Sequence, residues 1–287
     1  MKTHTIMVVV GAVALLAGAS CGQADEPAIA GRKIMDAYKD AVVKVKLVVQ
    51  QKMLMNGNEA QNTESKTETT GTVIDPSGLV LVSLSSIDPS KLVGSVMKNM
   101  GQGMNIEMRY DLKDAKLVLP DDTEVDAKVV LRDNDWDMAF IRPTQKLAKP
   151  IAAVDLKNQA QPQILDEIII INRLGKVASH VSAAEFSKIS AVVPKPRLFY
   201  VPQLEDTGLL GTPVFTMDRK IVGVTLMRSV ESGGGGMAAM MGGAAGMGIS
   251  VIVLPASEIL EASKQALAEP KEETKVEESK GATPKDK

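Results

Sequence analysis

The sequence predicts an all-β fold, and two observations support this prediction. Short runs of β-branched and aliphatic residues recur from Ala41 onward, separated by turn sequences at intervals of about eight to twelve residues. The turns combine Pro, Asp and Gly in the order that tight turns require, as in the Asp-Pro-Ser-Gly sequence at 75–78. Many short strands joined in this way are typical of a β-barrel or a β-sandwich. Because aromatic residues make up only 3% of the chain, the core must consist mainly of Val, Ile, Leu and the 16 Met.

The first half of the chain is predicted to contain one helix followed by several strands. A short helix is expected over Ala28–Lys39, and the β-branched run Ala41–Met55 predicts a long strand. The polar stretch Asn56–Thr69 is predicted to be a loop. The remaining elements of this half are a hairpin over Gly71–Ser83, a second hairpin over Lys116–Leu131 and a short strand over Met138–Arg142.

The second half repeats the same plan and ends in a helix. Pro255 is expected to open an amphipathic helix over Ala256–Leu267, because Pro is favoured in the first helical turn. The Lys/Glu/Pro-rich tail Ala268–Lys287 is predicted to be disordered. Six strands are expected before the helix, over Ile164–Ile171, Val177–Ser182, Ser187–Val193, Leu198–Val201, Val214–Thr216 and Ile221–Met227.

Residues 1–24 have the pattern of a secretory signal peptide. Lys2 precedes an apolar run, Ile6–Ala17, that is too short for a stable membrane span. The sequence Gly-Ala-Ser-Cys at 18–21 resembles a bacterial lipobox, which would attach a lipid to Cys21 and tether the protein to a membrane leaflet. Cleavage by the ordinary signal peptidase, after Ala24, is the alternative, and it would leave a soluble periplasmic protein. Cys21 is the only cysteine, so no internal disulfide is expected.

Four segments of the chain resemble the protease domain of the HtrA/Deg type, a trypsin-like serine protease family. They occur in the family's order and at about its spacing, and together they cover about residues 35 to 267. These segments are the hairpin at 71–87, the stretch from Val125 to Ile141, the loop and strand pair at 208–224, and the strand and helix that begin at Ile249. The resemblance implies a trypsin-like double β-barrel with a C-terminal helix. No PDZ domain is expected after the helix, because the charged tail follows it.

The same resemblance identifies a degenerate catalytic triad. The family's histidine position is occupied by Ser85, its aspartate by Asp137 and its nucleophilic serine by Leu210. Gly208, Leu209 and Leu210 occupy the loop that shapes the oxyanion hole in the family. Leucine has no lone pair for attack on a carbonyl, and serine cannot replace histidine as a general base near neutral pH.

Two packing expectations follow from these replacements. The side chain of Leu210 could fill the volume that the missing imidazole leaves in the cleft between the barrels. Asp137, without an imidazole, is expected to accept hydrogen bonds from Ser83, Ser85 or backbone N–H groups, or else to be a simple loop or cap residue. His180 is the only histidine after the signal peptide, and it is expected on a strand of the second barrel, away from the triad positions.

Methionine is concentrated in two insertions. The Gly-rich loop Ser232–Gly248 and the insertion Pro89–Tyr110 are interpreted as flexible segments with Met as adaptable apolar filler. Copper(I) binding through thioethers is the alternative. The methionines concerned are Met237, Met240, Met241 and Met247 in the loop and Met97, Met100, Met104 and Met108 in the insertion.

These observations predict an exported pseudoprotease that binds a peptide or an envelope protein. Two alternatives stay open, an active serine-type endopeptidase with unrecognised catalytic residues and a Met-rich copper-binding lipoprotein. The net charge of −2 gives no indication of a nucleic-acid partner, and no cofactor or other metal site is expected. The expected organisation is a signal peptide at 1–24, a first barrel with an N-terminal helix at 25–155, a second barrel with a C-terminal helix at 156–267 and a charged tail at 268–287.

Overall fold

The computed structural model of the chain describes residues 26–90, 93–94, 106–204, 207–229 and 249–268. These residues form two closed β-barrels, each with six antiparallel strands, and the last strand leads into a helix. The prediction of an all-β double barrel with a C-terminal helix is therefore confirmed.

Twelve strands and two α-helices carry the fold among the described residues. Helix α1 is Glu26–Tyr38 and helix α2 is Ala256–Leu267. The strands of the first barrel are β1 Val42–Met55, β2 Asn58–Asp75, β3 Leu79–Ser83, β4 Ile106–Val118, β5 Glu124–Asp133 and β6 Met138–Pro143. The strands of the second barrel are β7 Glu167–Arg173, β8 Ser182–Val193, β9 Phe199–Pro202, β10 Pro213–Thr216, β11 Ile221–Ser229 and β12 Ile249–Pro255.

The two barrels have the same topology. The strand order is β1-β2-β3-β6-β5-β4 in the first barrel and β7-β8-β9-β12-β11-β10 in the second, and in each the first strand closes the barrel by pairing with the fourth. The loops before β6 and before β10 lie where the two barrels meet, and they hold the residues of the candidate site.

Strands at the junction are buried on both faces, which explains their continuous apolar sequences. Along β3, Val80 and Val82 lie in the interior of the first barrel, whereas Leu79 and Leu81 belong to a cluster shared by both barrels and both helices. Strand β7 alternates in the same way, with Ile168 facing the second interior. Each such side chain stabilises the fold by about 1.5–3 kcal/mol, so the shared cluster holds the barrels in a fixed arrangement.

Helix α1 precedes the first barrel in the sequence but packs on the second. Gly31 lies close to this barrel, since a Cβ there would come within 3 Å of the ends of the Phe186 and Ile169 side chains, which would have to shift. The Tyr38 ring stacks on Phe215 of β10, with the ring centroids 4.3 Å apart. Ile34 is fully buried in the shared cluster. Helix α2 lies along β11 and β12 and also contacts β5 of the first barrel.

Two predictions about individual segments are wrong. The stretch Asn56–Thr69, predicted as a loop, contains only a two-residue turn before β2, whose residues Asn58–Thr69 pair with β1. The sequence does not reveal this strand, because residues 58–67 are exposed on both faces and therefore show no alternation of apolar and polar side chains. The predicted strand Val177–Ser182 is instead a 3₁₀ helix at Lys176–Ala178 followed by a turn, in which Ser179 and His180 have positive φ.

Within the described ranges, neither helix has the length and apolar character needed to span a bilayer.

Several predictions fall on residues outside the described ranges. Residues outside them include the predicted signal peptide, Cys21, the Gly-rich loop and the tail from residue 269 onward. Of the methionines considered for copper, only Met108 is described; it lies in β4 opposite Met53 of β1.

Candidate functional site

Asp137 lies at the turn before β6, and its backbone is held in an unusual conformation. Its φ angle is +55°, in the left-handed region that aspartate tolerates better than most residues. Its carbonyl accepts a hydrogen bond from the N–H of Leu84 at 2.7 Å. Leu84 begins the 3₁₀ helix Leu84–Ser86 that follows β3. The turn before β6 is thereby fixed against the end of β3.

The carboxylate of Asp137 accepts four hydrogen bonds. Ser83 Oγ donates to Oδ2 at 2.5 Å, and Ser85 donates to Oδ1 through both its backbone N–H and its Oγ, each at 2.6 Å. The fourth donor is the backbone N–H of Met227, on β11 of the second barrel, at 2.9 Å from Oδ2. Each oxygen thus has two donors, and the carboxylate links the two barrels directly.

Burial dominates the electrostatics of this carboxylate. Asp137 is 7% exposed, and burial raises its pKa above the ordinary value for aspartate, although the four hydrogen bonds oppose that rise. An acid that is buried and fully hydrogen-bonded has no oxygen left for another partner. The site therefore consists of a buried carboxyl group whose hydrogen-bond donors are two serine hydroxyls and two backbone N–H groups.

Leu210 lies in the loop that joins a 3₁₀ helix, Thr207–Leu209, to β10. Its side chain is 6% exposed. The carbonyl of Leu209 accepts hydrogen bonds from the hydroxyls of Thr212 and Thr225, the first at 2.5 Å. Two buried threonine hydroxyls thus hold the backbone of the loop, and the leucine position is apolar and enclosed.

Gly211 allows this loop to pack closely against the first barrel. Its φ is +79°, and a Cβ at this position would overlap the carbonyl of Thr70 on β2. The hydroxyl of Thr72 donates to the carbonyl of Gly211 at 2.8 Å, and a Cβ on Gly211 would also lie within van der Waals contact of Val82. The loop with Leu210 therefore lies beside the end of β3, which leads into Ser83 and Ser85.

Gly208, Leu209 and Leu210, the positions that the resemblance assigns to the oxyanion loop, lie in the 3₁₀ turn Thr207–Leu209 and directly after it. Leu209 is 4% exposed and Leu210 is 6% exposed, whereas Gly208 is exposed.

His180 lies elsewhere on the molecule and takes no part in this site. Its Nε2 is 3.2 Å from Glu68 Oε2 on β2, and its carbonyl accepts a hydrogen bond from Arg173 Nε at 2.9 Å. The expectation that it is remote from the triad positions agrees with these contacts, although it lies in a turn and not on a strand.

A buried polar network lies close to His180. Lys44 Nζ donates to Thr70 Oγ1 at 2.8 Å, and Thr70 Oγ1 donates to Asn172 Oδ1 at 3.3 Å across the barrel junction. Lys44 is 7% exposed, and burial lowers its pKa, with Arg173 adding to the effect and Glu68 opposing it.

An aromatic and cationic cluster borders Asp137 on the other side. The Arg228 guanidinium lies 4.7 Å from the ring centroid of Trp136 and 5.3 Å from that of Phe199. Arg228 follows Met227 on β11, and no carboxylate of the described residues lies within ion-pair distance of it. A fixed positive charge thus stands beside the carboxylate site.

The structure brings Ser85 and Asp137 into contact and places the loop of Leu210 across the same junction. The hydrogen bonds from Ser83 and Ser85 agree with the expectation for Asp137. Sequence reasoning missed Met227 and Arg228. A backbone N–H has no sequence signature, and the Arg228–Trp136 pair joins residues from different barrels, so no local pattern could have revealed either.

No protein-family model matches the chain, and a search of curated proteins finds no significant match. Among the residues that the structure describes, no three His, Cys, Asp or Glu side chains lie together in a way that could hold a metal ion.

Proposed function

We propose that this protein is an exported, catalytically inactive member of the trypsin-like HtrA/Deg type that binds extended polypeptide. The observation that carries the proposal is the state of Asp137. Its carboxylate oxygens already have two donors each, from Ser83, Ser85 and Met227, so no acceptor remains to orient a general base. The buried Leu210 at the nucleophile position supports the same conclusion. The double-barrel fold is consistent with the resemblance from which these assignments come.

The proposed binding surface is the edge of β11 beyond its partner β10. Strand β10 pairs with β11 only at Ile221, Gly223 and Val224, whereas β12 pairs with β11 as far as Ser229. No described strand pairs with the other edge of this last part of β11. An extended peptide could join that edge as an additional strand, and main-chain hydrogen bonds of this kind do not require a triad.

The direction of the backbone groups on this edge follows from the hydrogen bonds. The N–H of Thr225 donates to Thr212, and its carbonyl accepts from Gly211, so Thr225 faces the β10 side. Residues two positions apart in an antiparallel strand face the same side. The N–H of Met227 donates to Asp137. Within the described part of the chain, this leaves the carbonyl of Met227 and the backbone of Ser229 for a peptide.

The first experiment tests for activity. The purified protein is expected neither to cleave casein nor to react with a fluorophosphonate probe. Leu210→Ser alone should also be inactive, because its hydroxyl would have no base. The double variant Ser85→His, Leu210→Ser is the matched comparison, since it restores a base beside Asp137. Labelling of any serine in the natural protein, or cleavage by the single variant, would contradict the proposal.

The second experiment tests peptide binding at β11, with fluorescently labelled casein as an unfolded probe and anisotropy as the readout. Ser229→Pro removes the outward N–H but leaves the pairing with β12, because proline is tolerated at an edge. We expect it to weaken casein binding about tenfold, while Ser229→Ala, which keeps the N–H, binds as the natural protein does. Equal affinity of both variants, or no binding by the natural protein, would rule out this surface.

We also propose export with attachment through Cys21. The support is the sequence alone, an apolar signal-like segment whose small-residue end contains the only cysteine. Mass spectrometry of the mature N-terminus distinguishes the outcomes. A diacylglyceryl cysteine at position 21 is expected, and an unmodified chain that starts at Asp25 would exclude the anchor without affecting the peptide-binding proposal.

A further inference from the structure

The outer edge of β2 is a long exposed strand edge with no neighbour among the described residues. Strand β2 pairs with β1 from Asn58 to Thr72, but on its other side β3 pairs only with Thr72, Val73 and Asp75. The loop at Gly211 contacts Thr70 and Thr72, Thr69 is buried and Glu68 contacts His180, so the open stretch runs over residues 58–67.

This edge belongs to an arm that projects beyond the barrel. We define the arm as Gln50–Met55 of β1, Asn58–Thr67 of β2 and Ile106–Asp111 of β4, where the three strands pair only with one another. Residues 58–67 of β2 are all exposed, and residues 50–55 of β1 are half-buried or exposed. A small sheet with neither face covered is marginally stable in water, so a further strand on its edge would stabilise it.

The edge carries charged side chains, including Glu64 and Lys66, but it has neither a proline nor a bulge between Gln61 and Thr69. Long open edges are normally interrupted by proline, by a bulge or by an inward charge. No proline occurs between Asn58 and Thr69, and the one register irregularity, at Met53/Leu54, lies close to the tip of the arm. Alternate residues of such a strand direct both backbone N–H and C=O outward. The edge can therefore accept a complete antiparallel strand.

The charges on the edge favour a second copy of β2 as that strand. If two copies pair antiparallel about a two-fold axis at Ser65, Glu64 of each lies opposite Lys66 of the other, and Thr63 lies opposite Thr67. Moving the axis by one residue places Glu64 opposite Glu64 or Lys66 opposite Lys66. Opposite charges stabilise a cross-strand pair and like charges destabilise it. Neither Glu64 nor Lys66 has an ion-pair partner in the described part of the chain.

We propose that two copies of this protein associate through their β2 edges, with Ser65 on the two-fold axis, to form one continuous six-stranded sheet from the two arms. The interface is isologous, since both copies contribute the same surface, and it closes as a dimer. It is independent of the proposed peptide site, which lies on β11 of the second barrel.

A disulfide experiment tests the register. In the full chain with Cys21→Ser, an added Ser65→Cys would face its own copy, and directly opposed antiparallel residues have Cα atoms about 4.5–5.5 Å apart, within disulfide reach. A covalent dimer is expected under mild oxidation. Thr67→Cys is the matched control, since residue 67 faces 63 of the other copy and its own counterpart lies roughly 13 Å away. Equal cross-linking of the two variants, or none by Ser65→Cys, would overturn the proposal.

A charge-exchange experiment tests the contacts without a cross-link. Glu64→Lys or Lys66→Glu alone places like charges opposite each other twice per dimer, and each should raise the dimer dissociation constant about tenfold or more in sedimentation analysis. An equimolar mixture of the two variants restores opposite charges in the mixed dimer, so association should return. A monomeric natural protein, or a mixture no tighter than its separate components, would contradict the proposal.

Discussion

Replacement of Asp137 by asparagine is the most direct test of the hydrogen-bonded carboxylate. Asparagine has the same shape as aspartate and tolerates the left-handed backbone equally well, so the φ of +55° adds no new strain. Asp137→Ala would be less informative, because alanine disfavours this conformation and its cost would be added to that of the lost hydrogen bonds.

The expected magnitude follows from the four donors. The asparagine NH₂ group must replace one carboxylate oxygen, and in either orientation it faces a backbone N–H, that of Ser85 or that of Met227. The serine hydroxyls can rotate to accept, but a backbone N–H cannot. One unsatisfied buried donor costs about 1–3 kcal/mol, and loss of charge assistance weakens the remaining bonds. Removal of a buried charge offsets part of this cost, so we expect a loss of about 2–4 kcal/mol in the free energy of unfolding.

Urea unfolding followed by tryptophan fluorescence measures this loss. Trp136 is the only tryptophan, is 6% exposed and directly precedes Asp137, so its emission should report unfolding of the junction. Asp126→Asn is the matched control, because Asp126 is exposed and pairs with Lys116 at 3.4 Å on the surface. The control should change stability by less than about 0.5 kcal/mol. If the two variants have the same midpoint and slope, the four hydrogen bonds do not stabilise the junction and the reasoning is refuted.

Two further substitutions test the barrel junction. Because burial lowers the pKa of Lys44, the unfolded chain binds more protons than the native protein just below pH 10.5, and the stability of the natural protein should rise with pH through that range. Lys44→Met should be about 1 kcal/mol more stable at pH 7, and this advantage should shrink as the pH rises; a constant difference in pH-dependent urea midpoints would contradict the buried-charge interpretation. Gly211→Ala should lose at least about 2 kcal/mol, since it combines a positive φ with overlap at the Thr70 carbonyl. Gly57→Ala, with a similar φ but open space around it, should cost only about 1 kcal/mol in the same assay.

The sequence reveals strands well where burial imposes a pattern. The apolar runs that become β3, β6 and β7 are recognisable because both of their faces are buried, and the Asp-Pro-Ser-Gly turn fixes the β2–β3 hairpin. Strand β2 is missed over Asn58–Thr69 because neither of its faces is covered there, so its polar residues follow no alternation. Its pairing partner, β1, determines its conformation, and that information is not local.

The candidate site is recognisable only in part for a similar reason. Ser83 and Ser85 flank one turn and are therefore natural donors to a carboxylate brought to the end of β3. The position of Asp137 opposite them comes from the resemblance and not from any local pattern. The third donor residue, Met227, acts through its backbone, so any residue type at 227 other than proline could make the same hydrogen bond.

Both helices contact elements of both halves of the chain, and this arrangement affects how the chain can fold. Helix α1 packs on the second barrel, helix α2 reaches the first, and one apolar cluster is shared by both. A nascent chain that has emerged only as far as Pro143 would leave Leu81 and Phe140 facing water, since the residues that cover them have not yet been synthesised. The first barrel would keep its own interior cluster but lack the cover of the shared one, so it should be less stable alone than in the complete chain. Stable structure in the first barrel is thus coupled to the arrival of the second barrel and α2.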